Sequence, residues 1–62
     1  MSDPYYERSG RAIMAYLREA GGRARIRAAD VGVDARDFEP ALRRLRDNRR
    51  IKRVGKEWEV VE

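Results

Sequence analysis

The side chains of this sequence best able to recognise another molecule are its arginines and lysines, and they are concentrated in one stretch. Arg23, Arg25 and Arg27 alternate with Ala24 and Ile26. Arg36, Arg43 and Arg44 fall within one helical pattern, and Lys52, Arg53 and Lys56 surround a glycine turn. Twelve bases and five acids lie between residues 23 and 56, a local charge of +7, although the 62-residue chain carries only +4. Residues 1–22 are neutral overall, and residues 57–62 add Glu57, Glu59 and Glu62. A localised positive region is the electrostatic footprint of a polyanion binder. Arg46, Arg49 and Arg50 belong to the same stretch, but they sit at the end of the helical pattern, where cations also offset the helix dipole.

Most other chemistry is closed to this chain. It has no Cys, hence no disulfide and no thiolate metal site, and no His, hence no imidazole base or ligand. Ser2 and Ser9 therefore have no imidazole to activate them. Asp34 and Asp37 are carboxylates of the kind that hold Mg²⁺, but both are better used as helix caps. The expectation is a binding module, not an enzyme, with no cofactor and no metal. Arg8 and Arg11 interrupt the first apolar stretch, and no run approaches the ~20 apolar residues of a membrane span, so no membrane partner is expected. The apolar share of 42% comes in periodic groups, which argues for a folded chain. The expected unit is one small domain over residues 1–62, with a thin core and a cytoplasmic, nucleoid-associated setting. Arg outnumbers Lys by 13 to 2, Asn, Gln and Cys are nearly absent, and 42% of residues are charged. This usage resembles that of a thermophile.

The elements that must hold these charges follow from spacing. Asp3 and Pro4 suit the cap and first turn of a helix whose apolar positions run Tyr5, Tyr6, Ala12, Ile13, Tyr16, Leu17 and Ala20. Gly10 weakens it, and Gly21-Gly22 ends it. Arg23–Ile26 reads as a brief edge strand, and Ala28–Val31 as a helix of about one turn stopped by Gly32. A third helix has Phe38, Ala41, Leu42 and Leu45 on one face. Pro40 favours a regular start near residue 38 capped by Asp37, with a looser turn at 35–37 and Asn48 at the C-terminal end. Gly55-Lys56 suits a two-residue hairpin loop. Pairing outward sets Val54 opposite Glu57, Arg53 opposite Trp58, Lys52 opposite Glu59 and Ile51 opposite Val60. That register offers a cation–π contact, an ion pair and an apolar pair in turn. Ile51, Trp58 and Val60 then share the face that covers the helices. Tyr16 is also read as core, whereas Tyr5 and Tyr6 either cap the core or form part of a homodimer contact. Asp47 is expected to pair with Arg43, Arg44 or Arg50.

The resulting order is helix, short strand, short helix, turn, helix and two-stranded hairpin. This α+β arrangement resembles the winged helix-turn-helix family over almost the whole chain. Val31-Gly32-Val33-Asp34 looks like the family's turn, Phe38 and Leu42 like core positions of its recognition helix, and Ile51, Trp58 and Val60 like its wing strands. The segment Ile26–Gly32 is short for the second helix, and Pro40 lies on the face that meets the DNA groove. The resemblance implies a double-stranded DNA partner, with the third helix in the major groove and the wing on the backbone or an adjacent groove. Arg36 and Arg43 are then the candidates for base contact and Arg44 for phosphate. Arg53, Lys56 and Lys52 of the wing, with Arg23, Arg25 and Arg27, are the remaining phosphate candidates. Six such contacts correspond to a log–log salt slope of about −5. The same fold also serves RNA binding and protein docking, and both alternatives remain open at this point.

Overall fold

The computed structural model describes residues 4–61, with side chains from residue 8 onward. Asp3 and the side chains of Tyr5 and Tyr6 therefore lie outside the described residues. The element order is α1 (Pro4–Glu19), β1 (Arg23–Ala24), α2 (Ala28–Val31), α3 (Ala35–Asp47), β2 (Ile51–Val54) and β3 (Glu57–Val60). The fold class is α+β, as the spacing predicts, and compatible with a small winged-helix-like fold. No helix among the described residues is long and apolar enough to cross a membrane.

The three strands form one antiparallel sheet in the order β1-β3-β2. The hairpin has the expected register throughout, from Ile51 opposite Val60 to Val54 opposite Glu57. Gly55 takes the first loop position at φ 63°. β1 adds to the free edge of β3, with Arg23 opposite Glu59 and Ala24 opposite Trp58. Trp58 thus sits on the central strand and is buried together with Ile51.

Helix α3 begins earlier than the sequence suggests. Asp34, not Asp37, is its cap: the Asp34 carboxylate accepts from the Arg36 backbone N–H at 3.0 Å, and its carbonyl accepts from the Phe38 N–H at 3.0 Å. The regular helix therefore includes residues 35–37, and Pro40 stands inside it. Proline there removes the donor that would reach the Arg36 carbonyl. Arg36 is exposed, so water can take the place of that donor, and the cap supplies about 1 kcal/mol in return.

The core joins Ile13, Met14 and Leu17 of α1 to Phe38, Ala41, Leu42 and Leu45 of α3, with Ile26, Ile51 and Trp58 closing it. The α3 stripe is the expected one. The buried face of α1 is rotated from its expected position: Ser9, Gly10, Ile13, Met14 and Leu17 form it, Ala20 is exposed, and Tyr16 is half-buried against its edge. The cause is helix–helix contact. A Cβ built at Gly10 would stand 3.7 Å from Leu45, an ordinary van der Waals separation, so α3 packs along the Gly10 side of α1, the side on which Met14 is buried.

All three helices end by the same hydrogen-bond motif, α2 with Gly32 in the left-handed position and α1 and α3 with different residues there. After α1, the Gly22 N–H donates to the Leu17 carbonyl and the Gly21 N–H to the Arg18 carbonyl, with Gly21 at φ 89°. After α3, the Arg50 N–H donates to the Leu45 carbonyl and the Arg49 N–H to the Arg46 carbonyl, so Arg49 holds the left-handed position at φ 59°. Asn48 is the residue before it, as expected. A side chain with a Cβ is disfavoured in that conformation by about 1 kcal/mol or more. Arg49→Gly should therefore stabilise the domain by about 1 kcal/mol, raising Tm by roughly 4–8 °C in thermal unfolding. An unchanged or lowered Tm would show that the arginine compensates for its own strain.

Candidate nucleic-acid interface

Four of the nine cations singled out by the sequence come together. Arg25 and Arg27 from the β1–α2 connection, with Arg53 and Lys56 from the hairpin, line a cleft of about 420 Å³ beside the N-terminal half of α3. The floor is Phe38, Leu42, Ile26 and Trp58 of the core. All four cations are exposed. Glu39 is the one carboxylate on the cleft wall among the described residues.

The position of Arg53 follows from the hairpin register. Its guanidinium carbon lies 5.1 Å from the centre of the Trp58 ring across the strand pair, and its Nε donates to the Gly55 carbonyl at 2.9 Å. The ring attracts the cation, and the loop carbonyl fixes the guanidinium plane. The remaining N–H groups are left to face outward.

Arg36 and Arg43 are exposed on α3, opposite its buried stripe. Arg44 is about 100° around the helix from Arg43 and lines a different groove, toward α1. Arg23 and Lys52 are paired instead. Arg23 Nε stands 2.8 Å from Glu57 Oε1, and Lys52 Nζ stands 3.4 Å from Glu59 Oε2. The hydrogen bond that Arg23 donates to Glu57, and the charge of that carboxylate, raise the pKa of Arg23 above the ordinary guanidinium value. These two bases and two acids leave the outer face of the sheet near neutral. Asp47 pairs with the adjacent Arg46, Nη2 to Oδ1 at 3.5 Å, and not with the residues three or four positions away that the sequence suggested.

The chain matches no family model, no curated protein and no solved structure. Its site must therefore be judged on its own geometry. Neighbouring candidates of the same type separate clearly. Arg25 reaches the cleft while Arg23, two residues earlier, is tied to Glu57. Arg53 and Lys56 reach it while Lys52 turns to the opposite sheet face. Arg11 and Arg18 lie outside the basic stretch and join Arg44 and Arg50 around the α1–α3 groove. Their seven-residue spacing is the sequence signal for one shared helix face, masked by the neutral total of residues 1–22. No group of three or more metal-binding side chains occurs among the described residues.

Proposed function

We propose that this protein is a double-stranded DNA-binding module of winged helix-turn-helix type. The observation that carries the proposal is the convergence of Arg25, Arg27, Arg53 and Lys56, from two separate segments, on a cleft beside α3. α3 would lie in the major groove, presenting Arg36 and Arg43 to base edges, while the cleft cations straddle the phosphate backbone next to it. Phosphate contacts set the register of the protein on the duplex, and base contacts read its sequence. Glu39, on the cleft wall, keeps phosphate away from that side and suits the exposed amino group of cytosine. A regulatory or nucleoid-associated role would follow from this activity.

The deciding experiment is competition at low salt between duplex DNA and structured RNA of equal length. Stronger competition by the duplex supports the proposal. Stronger competition by RNA moves the same surface to RNA binding, and binding to neither leaves a protein-docking module. Arg36→Ala/Arg43→Ala should additionally change the preference among duplex sequences, by about 1–3 kcal/mol at the affected base pair, measured by binding to a randomised duplex pool. An unaltered preference would remove both residues from base contact.

A further inference from the structure

A second groove, of about 470 Å³, runs between α1 and α3 on the other side of α3 and shares no lining residue with the wing cleft. Its floor is apolar, with Met14, Ala15, Ala41 and Leu45. Its rim is cationic, with Arg11 and Arg18 on α1 and Arg50 beyond α3. Arg44 also lines it and has an interaction of its own. No Asp or Glu lines it among the described residues, and Arg11, Arg18 and Arg50 have no ion-pair partner there.

We propose that this groove docks an acidic amphipathic helix of a partner protein. Arg11 and Arg18 are seven residues apart on one face, which sets them about 10.5 Å apart along the axis, with Met14 between them. A phosphate group held between the two arginines would leave the apolar floor unused. A duplex backbone would gain nothing from the apolar floor. A helix meets both requirements. Carboxylates at i and i+7 match the two arginines, and apolar residues at i+3 and i+4 lie on Met14 and Leu45. A helix seated between α1 and α3 would extend the existing helix pair by ordinary side-chain packing. A second copy of this groove is excluded as the occupant, because both rims are positive.

The probe is a synthetic helical peptide with Glu at i and i+7 and Leu at i+3 and i+4, titrated into the ¹⁵N-labelled full chain at low salt. Saturable binding is expected, with amide shifts centred on Arg11, Met14, Arg18 and Leu45. Arg11→Gln/Arg18→Gln should weaken it about fivefold to tenfold, as should Glu→Gln in the peptide, since each removes two ion pairs. Both arginines are exposed, so the variant should keep its circular dichroism spectrum. Leu→Ala in the peptide should weaken binding as well. Arg53→Ala/Lys56→Ala should bind the peptide as the parent does, which separates this proposal from the nucleic-acid one. It is overturned by the absence of saturable binding, by shifts centred on the wing cleft, or by equal affinity of the Arg11→Gln/Arg18→Gln variant. It is overturned equally if duplex DNA shifts the groove residues and this variant flattens the DNA salt slope, because the groove would then belong to nucleic acid.

Discussion

Replacing Arg25, Arg27, Arg53 and Lys56 together by alanine is expected to flatten the log–log salt slope of duplex binding by about 3.6 and to lower affinity at low salt by roughly two to three orders of magnitude. The slope counts phosphates neutralised, at about 0.9 per contact, and the proposed function gives one contact to each of the four cations that line the cleft. The informative control is Arg23→Ala/Lys52→Ala. These residues belong to the same basic stretch, yet each is already held by a glutamate on the outer sheet face. Their removal should change the slope by less than about 1, against about 1.8 for Arg53→Ala/Lys56→Ala. Both double variants remove the same charge, so equal effects would mean that binding senses net charge alone and that the cleft has no special part. Arg53 also contacts Trp58 and the hairpin loop, so its variants need a check of thermal stability, where a loss of about 0.5–1 kcal/mol is expected.

The contrast between Arg23 and Arg25 shows where a sequence stops being informative. The hairpin is legible because its constraints are local: a glycine loop fixes the register, and three cross-strand pairs agree with it. The α3 stripe is legible because Phe38, Ala41, Leu42 and Leu45 repeat with the helical period. Nothing local states that β1 joins β3, yet that pairing brings Arg23 to Glu57 and Glu59 and removes it from the cleft. The rotation of α1 is likewise a tertiary effect. Tyr16 and Ala20 extend an apolar pattern, but α3 packs along the Gly10 side of α1, and Met14 is buried there instead. The start of α3 is a balance of two local rules. The proline penalty argues for a late start, while the Asp34 cap and the tight turn before it favour an early one. The cap prevails where the carbonyl left without a donor lies on the exposed face. Arg49 differs again, because Asn48 has the better side chain for a left-handed residue. The six-residue closure from Leu45 to Arg50 nevertheless assigns that conformation to the position after it.

Trp58→Ala is expected to abolish cooperative folding at 37 °C. Trp58 is buried on the central strand, opposite Ala24 on one side and Arg53 on the other, and it closes the core against the helices. Truncating a buried aromatic of this size costs about 3–5 kcal/mol. A core in a domain of this size rarely supplies more than about 3–5 kcal/mol in total. The two quantities are comparable, so the loss cannot be absorbed as it would be in a larger protein. The measurements are a far-ultraviolet circular dichroism melt and the dispersion of amide proton shifts. A cooperative transition within about 5 °C of the parent would show that the ring contributes only about 1 kcal/mol and that the core lies elsewhere. Trp58→Phe separates the two duties of this residue. A phenyl ring refills most of the space and still offers Arg53 a face, though a weaker one than indole. That variant should fold, with a lowered Tm, and should keep the DNA salt slope of the parent. Should it instead fold and bind with a flatter slope, the indole would be needed to hold Arg53 at the phosphate, making the wing's charge depend on the same side chain that closes the core.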